Sequence, residues 1–530
     1  MNKAGCTFKP PILLILAALL LGGCAAQADP HRKLIYGLTL SPSGIDPHIN
    51  ASAELGIPLR SVYDTLIFLD PVTGEFVPGL ATAWSISEDG KRYTFELRDD
   101  VVFHDATPFD AAAVKANIDY VLNADHHSQK AAALLGPITS VDVIAPDVVV
   151  FNLEEPFAPL LDSLSQVYLG MASPQALERW GASEYQFHQV GTGPYRFVEY
   201  IPNDRILLER FDGYDWATEI YREPHAGYRE IEFRFFEDLA TRAIALESGN
   251  VDILGEIPPM DAQRLSSSGE FSMHPVPIPG QPLQYLFNTK NEPTDDVRVR
   301  TALIHAVDRQ MIVETVFMST SPVALGPLSA EGFGHLLSTN QLAYDLTSAQ
   351  ELMREAGWIA DQEGVLRDKD NTAMELTIIA PSWGSNPDVA QLVKVAWEAL
   401  GAEVTLQIAP GFGPLREAQA SGNYHAIGIN FFGTDPDILR PMFTSTGLYN
   451  WSGYANNELD NSLRLAAQSS LDPVQRQRLY QKSIEHITTQ ALVLPIRDYV
   501  NLVIADNDIA GLRYSAPGWF PLLIELKPTS

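Results

Sequence analysis

The stretch GLATAWSISEDGKRYTFELRDDVVFHDATPF, residues 79–109, contains the clearest folding signal in the chain. Apolar and polar residues alternate over 92–97, which is the period of a strand with one buried face. Asp89-Gly90 stands before this run and is typical of a tight hairpin turn. We therefore predict a β-hairpin whose second arm is 92–97. The apolar positions of its two arms are Trp84, Ile86, Tyr93, Phe95 and Leu97.

Helix and strand signals alternate after this hairpin. Asp110 can cap the N-terminus of a helix through Leu122, because a side-chain carboxylate there accepts backbone N–H bonds. Residues 148–153 are mostly apolar and predict a buried strand. The apolar stripe of the predicted helix consists of Val114, Ile118 and Val121.

A strand–helix–strand pattern is clearer over residues 374–408. Alternating apolar residues predict strands at 374–378 and 404–408, and between them a helix begins at Pro387 and ends at Gly401. Two parallel strands joined in this way need a right-handed crossover. The predicted helix stripe is Val389, Leu392, Ala396 and Ala399, and further predictions are a capping box of Thr347 with Gln350, a helix from Asp472-Pro473, and strands at 491–494 and 502–504.

Length and composition restrict the class of protein. A chain of 530 residues is too long to fold around a single compact hydrophobic core, so we expect two or three α/β lobes. The formal net charge of -30 argues against a nucleic-acid partner, which the protein's field would repel. The motifs of zinc hydrolases, serine hydrolases and phosphate-binding loops do not occur, so we predict no catalytic residues, no metal site and no cofactor.

The N-terminus has the pattern of an export signal. Two lysines precede an apolar run that is too short for a comfortable membrane span, and Leu21-Gly22-Gly23 leads directly to Cys24. This resembles the lipobox of bacterial lipoproteins, which implies that the Cys24 thiol carries lipid and anchors the exported protein at a membrane surface. The other interpretation is an ordinary signal peptide with an incidental cysteine. Since Cys6 lies within the signal, the mature chain has no disulfide available.

Four blocks of sequence carry a family resemblance. They resemble the extracellular solute-binding proteins of ABC importers, family 5, which take dipeptides, oligopeptides, nickel chelates and related solutes. The chain departs from the family at Asp100 and Ala106, where the family usually has glycine, and we expect loop changes that leave the fold intact. The blocks are 79–109, Gly191-Thr192-Gly193-Pro194-Tyr195, 242–253, and Phe287-Asn288 with Ala306-Val307-Asp308-Arg309 and the segment 344–358 that follows in register.

The resemblance implies a bilobal α/β fold of the periplasmic-binding-protein type (type II, cluster C-like) with an extra inserted subdomain. Solute is then expected between two lobes that close by hinge motion. The implied segments are 1–23 (lipoprotein signal peptide), 24–30 (tether), 31–75 (first part of lobe I), 76–190 (inserted subdomain), 191–286 (return segment of lobe I), 287–494 (lobe II) and 495–530 (C-terminal segment of lobe I).

The resemblance also implies where the ligand-binding residues lie. Ile45 and Asp46 belong to a segment similar to one that lines the family's cleft, and residues 431–437 resemble the segment where peptide binders place an acid for the ligand's ammonium group. The position matching that acid is Thr434, with Asp435 next to it, so either residue is a candidate. Asp435 is also typical of a residue that starts a turn before Pro436.

Three aromatic residues complete the candidate site. Trp383 follows a predicted strand and is a candidate aromatic wall, and Phe431 and Phe432 begin the second cleft segment. The alternative interpretation is that all three side chains pack inside one lobe.

The predicted function follows from these features together. The chain is expected to capture a peptide or peptide-like solute and deliver it to an ABC permease and its ATPase, as a lipid-anchored monomer facing the periplasm or the cell exterior. Open alternatives are another solute on the same fold (a nickel chelate, an opine or an oligosaccharide), a secreted hydrolase, and a sensory or chaperone module.

Overall fold

The computed structural model describes residues 33–333, 336 and 343–529. The predicted signal, Cys24 and the predicted tether lie outside the described residues. Among those described, no helix combines the length and apolar character needed to cross a membrane.

The elements alternate between strand and helix along most of the chain. In chain order, the strands are β1 (Lys33–Leu38), β2 (Ile67–Leu69), β3 (Phe76–Pro78), β4 (Ala81–Ile86), β5 (Arg92–Leu97), β6 (Ile138–Ala145), β7 (Val148–Leu153), β8 (Tyr195–Ile201), β9 (Arg205–Arg210), β10 (Glu230–Phe235), β11 (Ile253–Leu254), β12 (Phe271–Pro277), β13 (Leu283–Phe287), β14 (Ile359–Ala360), β15 (Leu366–Arg367), β16 (Glu375–Pro381), β17 (Glu403–Ala409), β18 (Ala426–Gly428), β19 (Val493–Arg497), β20 (Val500–Asp506), β21 (Ile509–Ala510) and β22 (Lys527–Pro528). The helices are α1 (Ala53–Leu59), α2 (Ala111–Leu122), α3 (Ala131–Leu134), α4 (Leu160–Leu164), α5 (Pro174–Glu184), α6 (Leu239–Glu247), α7 (Pro259–Ser267), α8 (Val297–His305), α9 (Arg309–Phe317), α10 (Ala330–Phe333), α11 (Leu346–Glu355), α12 (Asn386–Leu400), α13 (Phe412–Ser421), α14 (Arg440–Phe443), α15 (Asn457–Gln468) and α16 (Pro473–Thr489).

A seven-stranded mixed sheet forms the first lobe, which we call lobe I. Its strand order is β12-β20-β11-β1-β10-β9-β8, and β1 lies parallel to both β10 and β11. Helices α6 and α7 cover one face, with Leu246 and Leu265 in the core between them and the sheet. Strand β20 comes from the C-terminal end of the chain, so lobe I is assembled from distant parts of the sequence.

The four-stranded sheet β4-β5-β7-β6, with helices α2 to α5, forms the inserted subdomain, which we call the insert. The predicted hairpin is confirmed: Trp84 pairs with Phe95, and Ile86 pairs with Tyr93. The predicted cap is also confirmed, because the Asp110 carboxylate accepts a hydrogen bond from the Ala113 amide at 2.9 Å. The core of the insert is continuous with one core of lobe I, so these two parts are packed together.

A five-stranded sheet of order β17-β16-β18-β13-β19 forms lobe II, with a separate apolar core on each face. The predicted crossover unit is confirmed, since β16 and β17 are parallel and α12 joins them. The predicted apolar stripe of α12 is wrong at Ala399, which is exposed, while Leu392 and Ala396 are partly buried and pack against the core. The fully buried apolar positions of the helix are Val389, Ala390, Val393, Trp397 and Leu400.

The cap of α11 differs from the prediction. The N-cap lies two residues before the proposed Thr347: it is Asp345, which accepts a hydrogen bond from the Ser348 amide at 3.0 Å. An aspartate carboxylate is a stronger cap than a threonine hydroxyl, so it takes the helix N-terminus. The predicted stop is in place, because Gly357 adopts a φ of 94° just after the helix.

In the described part of the chain, two crossings join lobe I to lobe II. The first runs over 278–282, from β12 of lobe I to β13 of lobe II, and the second is Asp498-Tyr499, from β19 back to β20. The two crossings touch, since the Ile278 amide donates to the Tyr499 carbonyl at 2.9 Å. They form the hinge, and the cleft between the lobes opens from it. The segment boundaries implied by the resemblance stay predictions.

Candidate functional site

Three aromatic rings meet where the hinge faces the cleft. Phe432 of lobe II lies 4.9 Å from Tyr499 of the hinge and 5.4 Å from Trp519 of lobe I, measured between ring centroids. All three side chains are only partly buried. Because the rings come from both lobes, they form an apolar floor between them.

The predicted cleft segment 431–437 is held directly against the hinge. The Gln281 amide donates to the Phe431 carbonyl at 2.8 Å, and the Phe431 amide donates to the Gln281 side-chain oxygen at 3.0 Å. Gly280 has a φ of 132°, and a Cβ built on it would lie 2.6 Å from the Cα of Phe432. Only glycine therefore fits at this contact.

Two acids of lobe I meet at the carboxyl ends of β1 and β11: Glu256 follows β11, and Glu54 reaches the same place from α1. The Thr39 hydroxyl lies between the side chains of Glu54 and Glu256, and Glu256 also accepts a hydrogen bond from the Tyr499 hydroxyl at 3.2 Å. Burial raises the pKa of Glu54 to about 8, so this carboxyl holds its proton at neutral pH. Arg242 lies 3.8 Å from Glu256 and balances its charge. Ligands in open α/β sheets commonly bind at such strand ends.

Trp383 lies on the lobe II side of this region. It follows β16 directly, and 40% of its surface is exposed. The adjacent Gly384 is close to the hinge, since a Cβ built on it would lie 3.7 Å from the Tyr499 hydroxyl. An exposed tryptophan at a strand end beside the hinge is placed to contact a solute, and that role stays a prediction.

Thr434 makes a contact from lobe II to the insert. Its hydroxyl donates a hydrogen bond to Oδ1 of Asp162 on α4, a carboxyl that is only 5% exposed. Burial and the negative charge of Asp435 raise the pKa of Asp162 to about 6, against the lowering effect of the Thr434 hydroxyl.

Asp435 has its own partners inside lobe II. Its two carboxylate oxygens accept hydrogen bonds from Arg476 at 2.6 and 2.7 Å, and Oδ1 also accepts from the Asp437 amide at 2.8 Å. Its charge is therefore compensated in this structure, and it caps the short helix that begins at Pro436. The turn interpretation accounts for this geometry, while the role of Asp435 toward a ligand ammonium stays a prediction.

Ile45 and Asp46 are buried where lobe I and the insert share a core. Ile45 is fully buried there, and its carbonyl accepts a hydrogen bond from Gln189 at 3.0 Å. The Asp46 carboxylate accepts from the His48 amide at 2.9 Å and from the Tyr120 hydroxyl at 3.3 Å. Internal partners thus account for both residues, and their contact with a solute stays a prediction.

The lobes also touch away from the hinge. The Ala158 amide of the insert donates to the Ala467 carbonyl of lobe II at 2.7 Å, and Gln468 donates to Glu155 at 2.6 Å. Contacts at both ends of the cleft show that the lobes are closed on each other.

Several cleft residues escaped the sequence prediction. Glu256, Tyr499 and Trp519 carry no motif of their own. The position of Asp498-Tyr499 in the sequence is one available signal, because it lies between the predicted strands 491–494 and 502–504. The first of these strands belongs to lobe II and the second to lobe I, so the residues between them must cross from one lobe to the other.

Comparison with known proteins identifies the family. The model of the bacterial extracellular solute-binding proteins, family 5 (middle region), matches residues 75–453. This chain belongs to that family. The predicted bilobal fold and the predicted family function, solute binding for ABC importers, are confirmed by this match and by the relatives.

Two relatives of this chain are named for the ligand that they bind. It is 28% identical over 430 residues to the glutathione-binding protein GsiB of Salmonella typhimurium, covering 79% of each chain. It is 27% identical over 499 residues to GsiB of Escherichia coli O157:H7, covering 92% of each.

Solved structures share the fold. NikA from Brucella suis, in complex with Fe(III)-EDTA, has a TM-score of 0.84 at 25% identity and covers 94% of this chain and 100% of that one. DppA from Helicobacter pylori, in complex with the peptide STSA, has a TM-score of 0.76 at 21% identity and covers 94% and 98%.

Proposed function

We propose that this chain is the lipid-anchored receptor of an ABC importer and that it captures a peptide-like solute between its lobes. The observation that carries the proposal is the cleft itself: an aromatic floor of Phe432, Tyr499 and Trp519, drawn from both lobes and the hinge, beside the Glu256 carboxylate of lobe I. An apolar surface with a few placed polar groups suits a small amphipathic ligand. The relatives named for glutathione support a peptide-like solute over an oligosaccharide.

The ligand proposal is tested by releasing solute from the native protein. Protein purified without denaturation is analysed by native mass spectrometry, and the released solute is then identified. A short peptide or peptide conjugate is the expected result. A saccharide, or a metal chelate without a peptide bond, would contradict the proposal while leaving the binding fold intact.

The proposed role is binding without turnover, by a monomer. Purified protein is expected to leave a peptide library unchanged and to elute at the mass of one chain in light scattering. Cleavage of the library that persists through further purification would favour the hydrolase instead.

The membrane anchor is proposed from Cys24. Each buried methylene adds about 0.8 kcal/mol of membrane affinity, so a lipidated Cys24 that carries two or more acyl chains in all holds a protein stably. Cys24→Ser is expected to release the protein from the membrane fraction or to block its processing. Cys6→Ser is the matched control, because Cys6 lies in the predicted signal and its loss should leave fractionation unchanged. A Cys24→Ser variant that fractionates and migrates as wild type would refute the anchor.

A further inference from the structure

Arg497 is a buried cation without a counter-ion. It is the last residue of β19, directly before the hinge crossing Asp498-Tyr499, and only 7% of its surface is exposed. Its guanidinium carbon lies 4.0 Å from the ring centroid of Phe317 and 4.3 Å from that of Tyr499. Nε has no hydrogen-bond partner, and among the described residues no carboxylate lies within 4.0 Å of the group. The rings hold the guanidinium in place, and its Nε–H stays without an acceptor.

Burial lowers the pKa of Arg497, and the charges of the nearby acids Glu256 and Asp498 partly offset this effect. Glu256 is the partner of Tyr499, Thr39 and Arg242. Asp498 follows the end of β19, and its Oδ2 accepts a hydrogen bond from the Ala330 amide at 2.8 Å, while its Oδ1 has no hydrogen-bond partner. Neither acid forms an ion pair with Arg497.

Arg300 shows how this fold treats a buried arginine that has a structural role. It is 2% exposed, and its guanidinium donates to four backbone carbonyls, of Thr294, Asp295, Gln490 and Ala491, at 2.7–3.2 Å. A buried guanidinium that lacks such partners is costly. The contrast indicates that the partner of Arg497 comes from outside the chain.

Two more donors at the hinge lack acceptors. Trp519 Nε1 and Gln281 Nε2 are buried atoms with no hydrogen-bond partner, and Trp519 belongs to the aromatic floor. Tyr499 connects this floor to Arg497, since its ring lies 5.9 Å from Trp519 and its face covers the guanidinium. Unsatisfied donors at the cleft floor favour a ligand that supplies acceptor oxygens.

We propose that Arg497 binds a carboxylate of the solute. This inference rests on the proposed function and narrows its solute class to acids. The planar guanidinium presents paired N–H donors that match the two oxygens of a carboxylate. The rings of Phe317 and Tyr499 fix its plane before the solute arrives, so little side-chain entropy is lost on binding.

The first test needs no ligand. Solute is removed by unfolding and refolding, and the thermal unfolding temperatures of Arg497→Met and Arg300→Met are compared with that of wild type. Arg497→Met removes an unpaired buried charge, so its unfolding temperature is expected at or above the wild-type value. Arg300→Met leaves four carbonyls without their donor and is expected to lower the temperature. A loss in Arg497→Met as large as that in Arg300→Met would make Arg497 a structural residue and overturn the proposal.

The second test uses defined probes. Reduced glutathione and the dipeptide Met-Leu are titrated into refolded wild type, Arg497→Met and Arg497→Lys by calorimetry, each as the free acid and as the C-terminal amide. Loss of the arginine is expected to weaken binding of an acid at least thirtyfold, about 2 kcal/mol at 1.4 kcal/mol per tenfold. Arg497→Lys keeps the positive charge but loses the paired N–H donors of the guanidinium, so it should weaken binding of the acid less than Arg497→Met does.

The outcomes separate this inference from the proposed function. If wild type prefers the acid to its amide and Arg497→Met loses that preference, Arg497 is the carboxylate site. If Arg497→Met binds the acid as tightly as wild type does, Arg497 is excluded and the proposed function stands. If wild type binds none of these probes, the peptide-like solute class is contradicted, and the thermal comparison still decides the role of Arg497.

Discussion

Removing the Thr434 hydroxyl should weaken lobe closure. In Thr434→Val the Asp162 carboxylate loses the donor that reaches it from the opposite lobe. A hydrogen bond to a charged group contributes about 1.5–3 kcal/mol, so the ratio of closed to open lobes should fall about 10- to 150-fold. Thr434→Ser keeps a hydroxyl at the same position and is the matched control.

The effect should depend on pH, with a definite sign. Burial raises the pKa of Asp162 from its ordinary value of 3.8 to about 6, so the ionised form costs free energy in the closed protein. Opening the lobes hydrates the carboxyl and lowers its pKa, so closing takes up a proton. Closure is therefore favoured as the pH falls from about 7 through 6 toward 4. Below about pH 5 Asp162 is protonated, and Thr434→Val should cost only the ~1 kcal/mol of a neutral hydrogen bond.

The assay is small-angle scattering of solute-free protein. The radius of gyration of Thr434→Val should exceed that of Thr434→Ser at about pH 7.5, and the difference should shrink near pH 5. Asp162→Asn cannot titrate and should remove the pH dependence from both proteins. Equal radii for Thr434→Val and Thr434→Ser at both pH values would refute the role assigned to this hydrogen bond.

Two further substitutions test other contacts. Asp435→Asn leaves Arg476 without its counter-ion, so it should lower the free energy of unfolding by about 3 kcal/mol, and Arg476→Gln in the same chain should restore part of the loss. If chemical denaturation shows no such loss while solute affinity falls, Asp435 serves the ligand and not Arg476. Ala106 has a φ of 67° in an exposed turn, so Ala106→Gly should stabilise the protein by about 0.5–1 kcal/mol, read as a higher unfolding temperature. An unchanged or lower temperature would show that the alanine is not strained there.

The sequence predicted those parts of the fold that depend on local pattern. The hairpin of β4 and β5 and the caps at Asp110 and Asp472 were all visible, because alternation and capping are set within a few residues. The predicted stripe of α12 was wrong at Ala399, because local pattern does not show which side of a helix meets the sheet. From Val389, steps of three or four residues lead either to Leu392 or to Val393. Both series are apolar, and only the position of the sheet decides which of them is fully buried.

The candidate site was predicted less well, because its contacts join distant residues. Thr434 is 272 positions from Asp162, and Asp435 is 41 positions from Arg476. Nothing near Asp435 in the sequence shows that its charge is already compensated. Arg497 was missed because it reads as one polar residue at the end of an apolar strand, and its lack of a partner exists only in three dimensions.

The strand order of lobe I has a consequence for the order of folding. Strand β20 (Val500–Asp506) lies between β12 and β11, so these two strands have no common neighbour until the chain has been made beyond Val500. Lobe II is complete in sequence by Arg497, shortly before that. Lobe I therefore cannot complete its sheet until the end of synthesis. A chain truncated before Val500 should contain a folded lobe II and an incomplete lobe I sheet, whose unpaired strand edges favour aggregation. This order suits the export proposed from the N-terminal pattern, because late completion of the larger sheet keeps part of the chain unfolded until its end has been made.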